Sequence, residues 1–374
     1  MRIDDIQQKV YRHNKGLLEA FHIDGWLLLG LLMLLGTSVA VVYSASGGDE
    51  AVIMRHIIRI GFALGLMFLF AQIPPNIIYM FTPWLFVGGI IMLIAVLAVG
   101  DVGKGAQRWL DLGVAKFQPS ELMKIVLPVT LAWLFAHSQF PPSFKKMLIG
   151  IFIIVLTASL IVVQPDLGTS LLIAMSGIFV LFFAGLPWKV IIAAIIGAVA
   201  SAPIAWHFMH AYQKQRVLTF LNPESDPLGS GYHIIQSKIA IGSGGLDGKG
   251  FMGSTQAHLE FLPESTTDFI FSVLSEEFGL FGVIGLLCLY AFVIGRGLYI
   301  AAQAQDNFTR LIAASLTMTL FVYIFVNIGM VSGLLPVVGL PLPLVSYGGS
   351  SLVTLMISFG ILMSIHTHKR LLTE

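Results

Sequence analysis

Charge is scarce in this chain. Only 11% of its 374 residues are Asp, Glu, Lys or Arg, against 56% hydrophobic, so it lacks the polar surface that a soluble globular domain needs. Cysteine is nearly absent as well. The single thiol, Cys288, excludes an intrachain disulfide and leaves the redox compartment unread; lying inside an apolar run, it is expected to be buried and inert. The ten histidines form no HExxH or Cys/His spacing suited to zinc, and no GxSxG elbow is present. The glycine-rich IGSGGLDGKG at 241–250 is not a phosphate loop: Ser243 stands where the pattern needs Gly, and Gly250 where it needs Ser or Thr. Its glycines suit positive-φ turns or a close backbone approach, to a ligand or to another helix. A net charge of +1 carries no signal of nucleic acid, and none is expected as a partner.

What the chain has instead is a series of apolar runs near the length of a bilayer span and a mean hydropathy of +0.87, which make it a polytopic membrane protein. The basic residues Arg2, Lys9, Arg12 and Lys15 precede the first run, and Ser44-Ala45-Ser46 loosely resembles a cleavage site. The run from Gly25 to Tyr43 nevertheless exceeds the roughly 7–15 residues of a signal core, so it reads as a retained first span. Spans are expected near 25–45, 57–73, 78–99, 119–137, 147–164, 168–186, 188–208, 273–301, 308–335 and 347–366. The fold class is therefore an all-α polytopic membrane domain of ten helices. Lys145, Lys146, Lys189, Arg296, Arg310, Lys369 and Arg370 fall on the side of the amino terminus, placing both termini in the cytoplasm. One domain results, with tails at 1–24 and 367–374 and a large extracytoplasmic loop at 209–268 between helices 7 and 8.

The outer side also carries basic residues: Arg55, Lys104, Arg108, Lys116, Lys214, Arg216, Lys238 and Lys249. Most stand in the loops 100–118 and 209–268, which mix aromatics, amides and charge and are expected to hold short helices or re-entrant segments. QPSEL at 118–122 and QPDLG at 164–168 echo one another, each placing Gln-Pro and an acid at an outward helix start. Helix amino ends and guanidinium groups together suit a phosphate-bearing ligand, although such ends alternate in any bundle of this kind. Glu121 and Lys124, spaced i, i+3, can pair at membrane depth in a functional or a structural role, and Asp166 can be part of a site or simply cap its helix. SYGGSS at 346–351, containing Ser346, reads as a glycine-softened start of the last helix, tolerable where protein or a wet cavity covers it. LPESTTDFIFSVLSEEFG at 262–279 carries Glu264, Asp268, Glu276 and Glu277 with no basic residue among them. Such acids at the mouth of a membrane helix must be solvated, paired or used; for Glu276 and Glu277 a helix-start role is expected.

KGAQRWLDLG, FQPSELMKI, QPDLGTS, QSKIAIGSGGLDGKG, FLPESTTDFIFSVLSEEFG, NIGMVSGLLPVVGLPLPLVSYGGSS and MSIHTHKR, in order along nearly the whole chain, resemble the SEDS family of peptidoglycan polymerases. The short amino-terminal tail and the QSKIAIGSGGLDGKG wording favour its elongation branch over its division branch. The resemblance implies a glycosyltransferase that polymerises lipid II at the outer face of the cytoplasmic membrane. Its implied partners are a class B penicillin-binding protein, which crosslinks the strands, and the membrane proteins of the elongation complex. It also implies that the acid of the TDF motif, Asp268, is essential, and that Arg108, Glu121, Lys124 and Asp166 belong to the active cavity; Arg216, Lys238, Glu264 and Ser346 are further candidates there.

The chemistry fits. A sugar hydroxyl attacks the anomeric carbon of a second sugar while a lipid pyrophosphate leaves, which needs a base at the hydroxyl and positive charge at the pyrophosphate. Conversion of an α-linked pyrophosphate into a β(1→4) bond is a single inverting displacement, with Asp268 as base. Pyrophosphate leaves without a proton donor, so Glu264 is expected to position substrate or hold a divalent cation. No motif demands a cofactor; where a metal takes part, the expected ion is Mg or Mn at Asp268 and Glu264. Family members often carry His two residues before the aspartate, where this chain has Thr266, so a relay through that His is not available here. A lipid II flippase is the alternative, disfavoured because no inverted repeat is visible and the charges gather at one rim. A scaffold that only activates its transpeptidase would leave Asp268 without a role.

Overall fold

The structure is a computed structural model that describes residues 21–103, 106–111, 116–187, 211–222, 224, 230–259, 261–262 and 264–368, with scattered positions between 189 and 209. The elements are α1 (Gly25–Ala45), α2 (Glu50–Ala71), α3 (Pro75–Val99), β1 (Asp101–Gly103), β2 (Ala106–Asp111), β3 (Lys116–Phe117), α4 (Pro119–Phe135), α5 (Phe144–Val163) and α6 (Leu167–Phe183). They continue with α7 (Ala211–Leu221), α8 (Ser230–Ser243), α9 (Thr255–His258), α10 (Ile270–Ala302), α11 (Asn307–Val331) and α12 (Ser350–Thr367). Among the described residues, seven helices are long and apolar enough to cross a membrane: α1, α2, α3, α5, α10, α11 and α12. In hydrocarbon every backbone polar group must be satisfied within the segment, which is why these apolar runs are helices. The seventh span expected at 188–208 lies largely outside the described residues.

Helix starts follow local chemistry. Asp24, Asp49, Asp166 and Asp306 each accept a backbone N–H of the first turn of α1, α2, α6 and α11, and Pro75 and Pro119 occupy first-turn positions where no N–H is missed. The Asp49 cap starts α2 seven residues before the expected boundary, so Arg55 stands on that helix rather than in an outer loop.

The 101–117 segment departs from the all-α expectation. It forms a small antiparallel sheet of order β1-β2-β3, with Val102 opposite Gln107 and Leu110 opposite Phe117. Such short strands fall below a bilayer-scale pattern and are legible only through their pairing. The Gln107 side-chain amide closes the sheet onto the end of α3 by donating to Gly100 O at 2.8 Å.

α4 is the interior helix. Met123, Leu127, Leu131 and Phe135, an i, i+4 stripe, are all fully buried, and α4 packs against α3, α6 and α11. The outer faces are apolar: Trp84, Val99 and Phe144 are each 75% exposed, a surface that suits lipid and not water. Cys288 also faces outward from α10, which corrects the expectation of a buried thiol; an apolar run in a membrane helix has a lipid side as well as a packed side. Between such helices lipid removes most of the hydrophobic drive, so close packing at small residues carries association. α1 meets Val293 of α10 at Gly30, and α12 meets the Met67 backbone of α2 at Gly360.

At the bundle end away from the sheet, Asp24 is fixed by Arg296 Nη2 at 2.5 Å and lies 3.0 Å from His366 Nδ1. Asp24 thereby joins Arg296 of α10 to His366 of α12. The His22 and His368 rings stack beside them, centroids 3.8 Å apart.

Candidate active site

Asp268 closes the polar segment that precedes α10, and this segment is held at three consecutive carbonyls. Thr266 O accepts from Tyr347 N at 2.8 Å, Thr267 O from Ser346 Oγ at 2.5 Å, and Asp268 O from Asn327 Nδ2 at 2.9 Å. The clamping loop is itself anchored. Ser346 Oγ accepts from Leu342 N, Tyr290 donates to Pro343 O, and Ser38, bonded to His56, donates to Val345 O. Loop 332–349 is thus irregular backbone covered by protein, the condition under which such backbone is tolerated at membrane depth. Asp268 Oδ2 lies 3.5 Å from where a side chain at Gly339 would begin. Glu264, one turn earlier, is exposed and takes a hydrogen bond from Thr267 Oγ1 at 2.8 Å.

Beneath this segment sits a buried ion pair. Lys124 Nζ contacts Glu121 Oε1 at 2.7 Å and the Tyr323 hydroxyl at 3.2 Å, and the ammonium lies 4.9 Å from the Tyr323 ring centre. The i, i+3 spacing does bring the two charges onto one face of α4. Glu121, Lys124 and Tyr323 line a narrow cavity of about 30 Å³ with Ser351, Thr354 and Ser358 of α12, and Asp268 lies within electrostatic reach of Tyr323. Tyr323 had no motif to announce it; a tyrosine in a membrane helix reads as apolar until its partner is known.

A second group gathers where β2 meets the start of α6. Arg108 Nη2 donates to Pro165 O at 2.6 Å, and Arg108 Nε stands 3.7 Å from Asp166 Oδ2. Asp166 also accepts from Thr169 N and Gln118 Nε2, so it caps α6 and binds the sheet at once. This corner touches the Asp268 surroundings through Gly168, which packs on Val338 O. Gln118 and Gln164, the two amides of the QPSEL and QPDLG echo, both bond inward, to Asp166 and to Leu93 O.

Glu276 and Glu277 are not at a helix start. Both are fully buried in the second turn of α10, where each has an assigned partner. Glu276 accepts from Lys249 Nζ at 2.6 Å, Ser254 Oγ at 2.6 Å and Thr255 Oγ1 at 2.8 Å, and so is not the unpaired acid its own neighbourhood suggests. Glu277 accepts from Ser44 Oγ, whose carbonyl accepts from His258 Nε2. The glycine-rich 241–250 segment explains itself here: Gly248 packs on the Glu277 carbonyl, and Gly279 adopts φ 60, ψ −158 against Gly248 N and Leu246 O. The close approach is to a helix, and it kinks α10. Beside it opens a cavity of about 900 Å³ lined by Ser46, Met252, His258, Leu262, Glu264 and Ser265.

Of the remaining candidates, Lys238 is exposed on α8 with its stem along Gly333, and the Arg216 side chain lies outside the described residues. Asn327 was not foreseen; a buried amide near the end of a membrane helix is the signal that marks it. Among the described residues no three His, Cys, Asp or Glu side chains group closely enough to hold a metal ion. Asp268 and Glu264 therefore do not make a closed protein cage.

The family model for cell cycle proteins of the FtsW/RodA/SpoVE type matches residues 18–371. Peptidoglycan glycosyltransferase MrdB of Escherichia coli K12 is 56% identical over 354 residues, covering 94% of this chain and 96% of its own. A probable peptidoglycan glycosyltransferase FtsW of Synechocystis is 35% identical over 91% of this chain and 86% of its own. Among solved structures, a chain from a peptidoglycan synthase complex that coordinates polymerisation and crosslinking superposes with a TM-score of 0.80 at 32% identity, covering 92% of this chain and 97% of that one. The rod shape determining protein RodA of Thermus thermophilus superposes with a TM-score of 0.70 at 27% identity, covering 92% and 96%. With nearly its full length matched in sequence and in fold, this chain belongs to the FtsW/RodA/SpoVE family, the SEDS proteins.

Proposed function

We propose that this chain is a peptidoglycan glycosyltransferase that polymerises lipid II into β(1→4) glycan during elongation, by one inverting displacement with Asp268 as general base. The observation that carries the reading is the fixed placement of Asp268. Its segment is held at three consecutive carbonyls, and the Lys124–Glu121–Tyr323 cluster lies beside it. A base held so firmly is preorganised, and general-base assistance is worth about 10²–10⁴-fold. With Thr266 two residues before it, Asp268 takes the acceptor proton directly. The Lys124 ammonium, neutralised by Glu121 at 2.7 Å, supports the site from within the bundle, while Arg108, Arg216 and Lys238 are the candidates for holding the pyrophosphate at the rim. Where a divalent cation takes part, Asp268 and Glu264 would hold it together with pyrophosphate oxygens and water, the usual manner for Mg.

In this reading the protein is one domain of the cytoplasmic (inner) membrane, with ten crossings, both termini inside and the active site outside. A crossing between α6 and α8 is supported by the chain's path: α6 runs away from the sheet end, yet Ser237 of α8 bonds Val331 O at the sheet end of α11. A class B penicillin-binding protein and other elongation-complex membrane proteins are the partners, a reading supported by the similarity to a chain from a peptidoglycan synthase complex.

The test is polymerisation of purified lipid II by the protein with its cognate transpeptidase, comparing wild type and Asp268→Ala after both are shown to fold and bind the partner equally. Glycan from wild type and none from the variant supports the reading. Polymerisation by the variant removes Asp268 as base, and lipid II crossing of liposomes without polymerisation by either protein selects the flippase.

A further inference from the structure

We infer that Asn327 is a positioning residue that sets the reach of Asp268. The inference rests on the reading of Asp268 as the base. Asn327 is fully buried on α11. Its amide nitrogen spends both protons on backbone carbonyls, Asp268 O at 2.9 Å and Leu340 O at 2.6 Å. It therefore ties the backbone of the acid to loop 332–349 on the side where Gly339 faces the Asp268 carboxylate.

The other two ties on this segment act one and two residues earlier, at Thr267 and Thr266, and both come from loop 332–349. Asn327 alone among the three anchors Asp268 to a membrane helix. That helix also carries Tyr323, one turn away on the same face, and Tyr323 meets Lys124. A single rigid element thus sets the spacing between the proposed base and the buried cation.

The experiment measures initial rates of lipid II polymerisation across substrate concentrations for Asn327→Leu and Asn327→Ser, each in complex with the transpeptidase, alongside Asp268→Ala. Leu has a similar size with no donor; Ser keeps one donor and serves if Leu does not fold. A displacement near 1 Å at a reacting group costs about 10²-fold, so kcat is expected to fall by about that factor in the Leu variant and by less in the Ser variant. KM and complex formation stay close to wild type, and Tm of the complex falls modestly because the Leu variant leaves the Asp268 and Leu340 carbonyls without their donor. Wild-type kcat in the Leu variant, or in the Ser variant should Leu not fold, overturns the inference, as does a loss that tracks the folded fraction alone. If Asp268→Ala still polymerises, the base assignment fails first. If Asp268→Ala is inactive while the Asn327 variants are unimpaired, only the positioning role fails.

Discussion

Lys124 on α4 and Tyr323 on α11, 199 residues apart in sequence, meet at 3.2 Å inside the bundle, and Glu121 completes the contact at 2.7 Å from the same ammonium. All three residues are buried, so neither charge has water as a substitute partner. Removing one partner is then worse than removing both, because it strands a charge in a low-dielectric interior. Lys124→Met alone is expected to destabilise the protein by about 3–5 kcal/mol, and Glu121→Gln in the same chain to recover part of that loss. Thermal unfolding in detergent of the two single variants and the double variant checks it; additive losses would show that the two charges are not coupled.

Glu276 is the buried anchor of the loop that precedes Asp268. Its carboxylate accepts from Lys249, Ser254 and Thr255, and also from the backbone N–H of Thr255 and Gln256. Glu276→Gln places an amide donor among donors and removes the charge that holds Lys249. The expected cost is about 1–3 kcal/mol, felt locally, with amide hydrogen exchange across 244–258 becoming faster while α4 and α11 keep their protection. Unchanged exchange in that loop would mean the cage does not hold it.

The parts of this architecture that are legible in sequence are those governed by one-dimensional patterns. Apolar runs locate α1, α3, α5 and α11, and the i, i+3 spacing of Glu121 and Lys124 anticipates their pairing. The rest depends on partners far away in the chain. Glu276 looks unpaired because its cation, Lys249, stands 27 positions earlier. Asn327 is one amide in an apolar helix until Asp268, 59 positions away, is seen to accept from it. The sheet at 101–117 is missed because its strands are too short for a periodic signal, and Cys288 is misplaced because sequence reveals that a segment is apolar without revealing which face meets lipid.

Gly279 holds the kink of α10 in a conformation, φ 60 and ψ −158, open essentially to glycine alone. A Cβ there would also meet the backbone of Leu246 and Gly248. Gly279→Ala combines strain with collision and cannot relax by a side-chain move. The variant is expected to lose most of its monodisperse yield in gel filtration, whereas Gly285→Ala, in open space on the same helix, keeps it. Equal yields would show that the kink is not required for folding.

Asp24 links three helices at the end of the bundle away from the sheet. Burial by itself would raise its pKa, but the His366 imidazole and the Arg296 guanidinium beside it, with the Leu27 N–H, more than offset burial and hold its carboxyl well below the usual carboxylate range. A carboxyl depressed on folding contributes stability that is complete above its unfolded value, near 3.9. That contribution is lost as pH falls from there toward the folded value, because the unfolded chain then binds the proton more readily. At pH 5 the Asp24→Asn variant should therefore melt below wild type, since it leaves the half-buried Arg296 guanidinium facing an uncharged partner. Below about pH 4 the margin should narrow as wild type loses the same charge. A margin that stays constant down to pH 3 would mean that the Asp24 carboxylate is not what holds α1, α10 and α12 together.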